Sequence, residues 1–256
     1  MKAHSLPAAA GWRWLTEALA LYGRYPAPLL FTVSFYWILL LLINIVPGVG
    51  PYVAAVCIPG LSVGVMNACR DLDRGRLPPA NCLFSGFRGE MRTLLVLGGI
   101  YLVLTLAILL GSSLLDGGEF ARYLMSGQQP DPQAMEDGRV FRASLFALGL
   151  LLPLMMAFWF GPMLAAWYRL PAPKALFFSL VACLLNWRAF LVYALSLLAI
   201  VILPFFLLGV VAQMSPQAGS LFAFLFSVPL LLVLLPVIFA SFFVSYREVF
   251  GVSEIV

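Results

Sequence analysis

The sequence predicts an all-α membrane protein with six transmembrane helices, arranged as three helical hairpins that are each preceded by a short interfacial or re-entrant helix. The chain is 63% hydrophobic and 10% charged, whereas soluble domains are about 45–50% apolar and about 25% charged. Five stretches of about 18 to 27 residues contain no ionisable side chain, and residues 51–69 are equally charge-free but less hydrophobic. These stretches match the roughly 20 residues of a membrane-spanning helix and exceed the roughly 10-residue strands of a barrel.

The charge-free stretches fix six predicted spans and the connections between them. A Pro/Gly-rich turn, Pro47–Pro51, joins the first two spans, and a second tight turn, Met214–Gly219, joins the last two. The middle pair instead encloses a polar outer insert, Asp116–Ala143. The predicted spans are 27–46, 51–69, 93–115, 144–168, 189–213 and 219–245.

The distribution of basic residues predicts the orientation, because cytoplasmic loops are enriched in Lys and Arg. With the N-terminus inside, twelve basic residues fall on the cytoplasmic face and three, Arg122, Arg139 and Arg142, fall in the outer insert. We therefore expect a multi-pass protein of the cytoplasmic (inner) membrane with both termini in the cytoplasm. Residues 1–25 lack the apolar core of a cleavable signal peptide, so the first span is expected to act as an uncleaved anchor.

Each hairpin is preceded by a short segment that ends in Arg. The three segments are Gly11–Arg24, Ala80–Arg92 and Pro173–Arg188. The first two are amphipathic, as expected of helices that lie in the membrane interface, and the third is apolar nearly all round. One interpretation is a threefold internal repeat within a single membrane domain spanning 1–256. The alternative is that amphipathic helices and basic ends recur in any protein with this orientation. The repeats would cover about 11–76, 80–170 (with the insert 116–143) and 173–251.

Small residues and prolines mark packing and bending positions inside the spans. Gly60 and Gly64 form a GxxxG motif extended by Ala68, a spacing that lets two helix backbones approach closely, within the molecule or between two copies. Proline removes a helix hydrogen bond, and the resulting kinks either shape the bundle or line a transporter site. The predicted kinks are at Pro59, Pro162, Pro204, Pro229 and Pro236.

A set of aromatic and basic residues is predicted to meet the lipid headgroups on the cytoplasmic side. A basic residue near an anionic surface gains about 1 kcal/mol. The cluster between Arg70 and Arg76 has an alternative interpretation, a solvated loop that neutralises itself through Asp71 and Asp73. The predicted headgroup residues are Trp12, Arg13, Arg24, Arg70, Arg74, Arg76, Arg88, Arg92, Arg188 and Arg247.

The sequence shows no pattern typical of catalysis, metal binding or cofactor binding. His4 is the only histidine, and the four cysteines form no CxxC pair. There is no Ser/His or Cys/His arrangement, no pair of carboxylates within a span and no Gly-rich phosphate loop. No basic run with interleaved aromatics suggests nucleic acid. We therefore expect no enzyme activity, cofactor, metal or nucleic-acid partner.

Three short segments carry a resemblance to a known family: Arg70–Gly75, Phe84–Arg88 and Ser245–Gly251. Together they resemble an uncharacterised six-span inner-membrane protein family of proteobacteria, best represented in the beta group. More distantly, the layout is similar to the membrane domain attached to some glycerophosphodiester phosphodiesterases, whose catalytic domain has no counterpart here. The resemblance implies a bacterial cytoplasmic membrane and six helices, and it implies no activity.

These observations favour a non-catalytic integral membrane protein, a scaffold, assembly factor or accessory component. Its expected partners are the lipid bilayer, anionic headgroups on the cytoplasmic side, and another membrane protein or a second copy. The alternative is a transporter or channel for a neutral or amphipathic solute. Coupling to ions through carboxylates inside the membrane is not expected, because the spans contain none.

Overall fold

A computed structural model describes the main chain of residues 2–214 and 216–251, and the side chains of these residues except 204, 205 and 207–228. In this part of the chain all regular secondary structure is helical. Eleven α-helices are described, with a 3-10 turn at Cys82–Phe84 before α4. They are α1 Ala10–Arg24, α2 Pro26–Asn44, α3 Gly50–Asp73, α4 Ser85–Gly89, α5 Met91–Asp116, α6 Glu119–Ser126, α7 Pro132–Glu136, α8 Arg139–Tyr168, α9 Ala172–Leu185, α10 Trp187–Met214 and α11 Pro216–Phe250.

Five helices among the described residues are long and apolar enough to cross a membrane, namely α2, α3, α5, α8 and the Pro229–Phe250 part of α11. A sixth span results if α9 and Trp187–Leu203 of α10 are counted as one span that bends by 79°. This confirms an all-α membrane protein with five to six candidate spans. The count of six, the three hairpins and the threefold repeat stay predictions, and the predicted turn Met214–Gly219 includes residue 215, outside the described residues.

The segment Ala80–Arg92 is not the single amphipathic helix that the sequence suggested. The structure divides it into the 3-10 turn, the five-residue α4 and the start of α5. Gly86 and Gly89 lower the helix propensity of this stretch, and Glu90 leaves the helical region with φ −112° and ψ 44°. The prediction underestimated these breaks because it rested on the spacing of polar and apolar residues alone.

The polar outer insert contains two short helices, α6 and α7. The Asp116 carboxylate at the end of α5 accepts hydrogen bonds from the main-chain N–H groups of Gly118 and Phe120, at 2.8 and 2.7 Å. Asp131 caps α7 by accepting a bond from Gln133 N–H. Side chains at the start and in the middle of the insert therefore satisfy N–H groups that helix starts leave without partners.

The chain divides into two compact units. The first contains the N-terminal stretch to Leu42, Leu61–Gly89 and the C-terminal stretch from Val181, and within it α1 packs on α10 and α11. The second contains Ile43–Gly60 and Glu90–Leu180, and within it α5 packs on α8. Helix α5 also approaches α3 closely in this unit, because Gly98 lies directly against the main chain of Val56, where a Cβ would overlap the Val56 carbonyl oxygen.

Candidate functional site

Helix α1 is docked into the first unit by a buried tryptophan. Trp14 is fully buried, and its ring lies 5.1 Å from that of Phe190 and 6.0 Å from that of Tyr193, both on α10. Gly11, one turn earlier, lies so close to α10 that a Cβ would overlap the Ala189 carbonyl oxygen. The helix buries the face with Trp14, whereas Trp12 and Leu19 of the predicted apolar face are exposed.

An acidic residue near the end of α11, Glu248, accepts hydrogen bonds from two side chains of α1. The Glu248 carboxylate accepts two hydrogen bonds from Arg13, from Nε and Nη2 at 2.8 Å each. It also accepts a bond from the indole Nε1–H of Trp14 at 3.1 Å. Such a bidentate, charge-assisted Arg–carboxylate contact fixes the relative orientation of the two side chains. It raises the pKa of Arg13 above its ordinary value, through the hydrogen bond and the charge of Glu248.

A second set of ion pairs lies beside the first. Arg247 donates from Nη2 to Glu17 of α1 and from Nη1 to Asp73 at the end of α3. We call the residues that join these three helix ends the ion-pair junction. Two of the predicted headgroup residues, Arg13 and Arg247, therefore bind carboxylates of the same chain. The junction consists of Arg13, Trp14, Glu17, Asp73, Arg247 and Glu248.

The residues before α1 are held at the corner between α9 and α10. Asn186 is buried there, accepts a hydrogen bond from Leu6 N–H at 2.8 Å and donates to the His4 carbonyl at 3.0 Å. Its amide also donates to the Ala182 carbonyl at 2.9 Å, at the last turn of α9. His4 N–H donates to the Val249 carbonyl of α11. The N-terminal segment is thus hydrogen-bonded to the first unit.

Three predicted headgroup residues adjoin Tyr25 or Gly75, two residues that lie close together at the corner between α1 and α2. Arg24 ends α1, and Arg74 and Arg76 flank Gly75 in the turn after α3. A Cβ on Gly75 would lie 3.9 Å from the Tyr25 hydroxyl oxygen, which places this turn beside the α1–α2 corner. All three arginines are exposed, and within the described part of the chain none has an ion-pair partner. We call Arg24, Arg74 and Arg76 the arginine cluster.

An apolar groove runs between α2 and α11 in the same unit. Its volume is about 390 Å³. Its α2 wall follows one helical face from Leu30 to Ile38, and Pro236, a predicted kink, lies in its α11 wall. We call it the α2–α11 groove. Its lining residues are Leu30, Val33, Ser34, Trp37, Ile38, Leu231, Leu232, Leu235 and Pro236.

Two further grooves are also apolar. One, of about 190 Å³, lies beside the exposed face of α1 and is bounded by Trp12, Leu19 and Val237, among others. The other, of about 420 Å³, lies in the second unit between Leu104 of α5 and Leu154 of α8. These three grooves present hydrocarbon to the surroundings, a surface that suits acyl chains or an apolar helix.

The predicted packing residues lie in the buried half of α3. Gly64 is in contact with the main chain of Leu83, so that a Cβ would overlap the Leu83 carbonyl oxygen. Gly60 and Ala68 are buried on the same helix. The close approach thus joins α3 to the 3-10 turn, an irregular segment, rather than to a second long helix.

The predicted kink prolines occupy different environments. Pro59, Pro162 and Pro236 are buried within helices, Pro229 is an exposed residue of α11, and Pro204 lies outside the described side chains. The bend of 79° falls instead at Asn186, between α9 and α10. Whether each proline kinks its helix stays a prediction.

Helix α8 remains continuous through Gly161 and Pro162, a Gly–Pro step of the kind that can interrupt a transporter helix. The buried Ser179 hydroxyl on α9 accepts from Phe160 N–H at 2.9 Å and donates to the Met156 carbonyl at 2.8 Å. These are the two groups that an α-helix joins directly, so a side chain contacts the hydrogen-bond ladder here. This contact packs α9 against α8 without unwinding it.

The other predicted headgroup residues lie apart from these two clusters. Arg88, Arg92 and Arg188 are exposed, and the Arg188 guanidinium lies 5.4 Å from the centre of the Trp187 ring. Arg70 is half-buried and lies within electrostatic range of Arg74 and Arg76. The headgroup set predicted from the sequence is therefore divided among an ion-pair junction, an arginine cluster and single exposed residues.

Sequence reasoning missed the residues that give these clusters their geometry. Trp14 and Glu248 were assigned no role, and Asp73 was considered only as a neutralising acid within its own loop, although acids are few beside the basic residues of the predicted cytoplasmic face. Tyr25 was missed too, because its role depends on the position of the turn at Gly75. In the described part of the chain, no group of three or more His, Cys, Asp or Glu side chains is placed to hold a metal ion.

The chain is 35% identical over 260 residues to a protein of Burkholderia thailandensis named a probable inner membrane protein. The match covers 99% of this chain and 96% of the relative. No family model matches the chain, and no solved structure matches it. The similarity supports the inner-membrane part of the resemblance. The more distant similarity to the phosphodiesterase-attached domain receives no such support and stays a prediction.

Proposed function

We propose that this chain, which belongs to the family of inner-membrane proteins that includes the Burkholderia thailandensis relative, is a non-catalytic scaffold or accessory component that contacts lipid or another membrane protein. The observation that carries the proposal is the lateral groove between α2 and α11, which is lined by apolar side chains apart from the Ser34 hydroxyl. An accessory membrane protein needs such a surface to hold an acyl chain or a partner helix.

The use of the ionisable residues supports the same proposal. A catalytic or ion-coupled site needs titratable groups that face a substrate or an ion path. In the ion-pair junction, Glu248 and Asp73 instead bind Arg13 and Arg247 and so fasten helix ends. Their charges are used to hold the fold, which suits a structural component. We propose further that both termini lie in the cytoplasm, as the excess of basic residues outside the insert indicates.

The alternative is a transporter for a neutral or amphipathic solute, favoured by the same apolar grooves, which open sideways. An amphipathic molecule would enter such a groove from the bilayer. The continuity of α8 through Gly161 and Pro162 speaks against an unwound binding site at that step. We therefore place the transporter second.

Photo-crosslinking at the groove tests the proposal. Trp37 lines the groove and is 46% exposed, so a p-benzoylphenylalanine at this position would meet whatever occupies it. The matched control is the same replacement at Leu110 of α5, which is 69% exposed and does not line a groove described above. We expect a discrete adduct with one protein or one lipid class at position 37. Identical bulk-lipid adducts at both positions would contradict the proposal.

A further inference from the structure

We propose that the arginine cluster binds the phosphate of an anionic phospholipid whose acyl chain lies in the α2–α11 groove. This inference rests on the proposed function, because it names the lipid that the groove would hold. It assigns a defined site to Arg24, Arg74 and Arg76, in place of a diffuse attraction between a basic surface and the membrane.

The charges at the cluster are available to a ligand. From the sequence alone, Asp71 and Asp73 could neutralise the basic residues of this loop. In the structure Asp73 forms its ion pair with Arg247 of α11, outside the loop. Asp71 is then the one remaining acid of the loop, against three exposed guanidinium groups. Arginine binds phosphate oxygens through paired N–H donors, which makes such a cluster well suited to a phosphodiester.

The turn that carries two of these arginines is fixed by the backbone. Gly75 has φ +71°, a left-handed conformation that favours glycine. Its N–H donates to the Leu72 carbonyl at 2.9 Å, and Arg76 N–H donates to the Asp71 carbonyl at 2.8 Å. The turn therefore fixes the main chain of Arg74 and Arg76 near Tyr25, the residue after Arg24. Side chains carried on a fixed main chain lose less freedom on binding than side chains on a mobile loop do.

The end of the groove at Leu30 lies near the position where the acyl chain of a lipid bound at the arginine cluster would begin. Leu30 lies five residues after Tyr25, a distance of about 7.5 Å along α2 at about 1.5 Å per residue. The α2 wall then continues to Ile38, for about 12 Å more. One leaflet of a hydrocarbon core of about 30 Å is about 15 Å deep, so the α2 wall of about 12 Å is short enough to fit within one leaflet.

The combination selects a lipid over other ligands. A free phosphate ion would use the arginines and leave the groove unexplained, and an apolar partner helix would use the groove and leave the arginines unexplained. An anionic phospholipid uses both, with its charge and its chain in the order that the structure presents them. The arginine cluster and the groove belong to the same compact unit.

Native mass spectrometry of the full-length chain tests the site. The protein is released from lipid discs made of equal amounts of phosphatidylglycerol and phosphatidylcholine, and the bound lipids are counted. We expect preferential retention of phosphatidylglycerol. Because R24Q/R74Q/R76Q removes the charge-assisted hydrogen bonds to the phosphate, it is expected to weaken that retention about 10- to 100-fold.

Two matched variants separate a defined site from general attraction. R88Q/R92Q/R188Q removes the same charge from other exposed arginines and is expected to change retention by no more than about twofold. Ser34→Trp fills the groove without changing charge and is expected to lower retention of the bound lipid. Thermal unfolding and gel filtration show whether each variant is folded, and a misfolded Ser34→Trp would be replaced by Ser34→Phe.

Three other outcomes would contradict the proposed lipid site. Equal losses in the two triple variants would mean diffuse electrostatic attraction, and displacement by excess inorganic phosphate would mean a soluble anion. Full retention in the folded groove variant would remove the acyl chain from the α2–α11 groove. If these results came with a discrete protein adduct at position 37, the proposed function would stand and the lipid site alone would fail.

Discussion

Trp14→Ala is expected to release α1 from α10 and to lower the free energy of unfolding by about 3–5 kcal/mol, the usual cost of truncating a buried tryptophan. Trp14 is fully buried between Phe190 and Tyr193, and its indole N–H bonds Glu248. Its removal leaves a cavity and takes a donor from that carboxylate. The measurement is thermal or denaturant unfolding in detergent, together with protease sensitivity of residues 2–24.

The chain supplies its own control two residues earlier on the same helix. Trp12 is 52% exposed, so Trp12→Ala is expected to change stability by less than about 1 kcal/mol. Trp14→Phe keeps most of the packing and removes the hydrogen bond to Glu248, with an expected loss of about 1 kcal/mol beyond the change in size. Equal effects of Trp12→Ala and Trp14→Ala would show that α1 is not docked through Trp14.

Gly98→Ala is expected to disrupt the second unit. A Cβ at this position would overlap the carbonyl oxygen and Cα of Val56. Both are main-chain atoms, so no change of side-chain rotamer can relieve the overlap. Overpacking a close contact typically costs about 1–3 kcal/mol, and more where backbones must separate. We expect a lower unfolding temperature and faster hydrogen exchange in α5 and in Ile43–Gly60.

The neighbouring residue is a close control, since Gly99 lies on the same helix and a Cβ there would meet no atom within 4 Å. Alanine is favoured over glycine in a helix by about 0.5–1 kcal/mol. Gly99→Ala is therefore expected to be neutral or stabilising. If the two variants behaved alike, the helix contact at Gly98 would be wrong.

The spans were predictable because a run of apolar residues long enough to cross the hydrocarbon core has few alternative structures besides a transmembrane helix. The helices α3, α5 and α8 accordingly contain the predicted stretches, and α2 ends at Asn44, two residues before the end of the predicted span 27–46. Local breaks were harder to predict. Ala80–Arg92 has helical spacing, but Gly86, Gly89 and the non-helical Glu90 divide it.

The ion-pair junction lay beyond sequence reasoning for a different reason. Arg13 and Glu248 are 235 residues apart, and no local pattern links them. The periodicity of α1 identified a polar face and an apolar face, but it did not show that Trp14 rather than Trp12 turns towards α10. All three residues of the arginine cluster were among the predicted headgroup residues, but their grouping was not predictable, because it depends on the turn at Gly75 lying near Tyr25.

The central claim is that this protein acts through what it holds at its lateral surface rather than through chemistry. The most direct measurement is extraction of the tagged, full-length protein in native lipid discs, with quantitative mass spectrometry of the proteins and lipids that remain with it. We expect a protein partner at fixed stoichiometry or an enrichment of anionic phospholipid over the bulk membrane. A chain recovered alone with bulk lipid, which then carries a solute across proteoliposomes, would contradict the account.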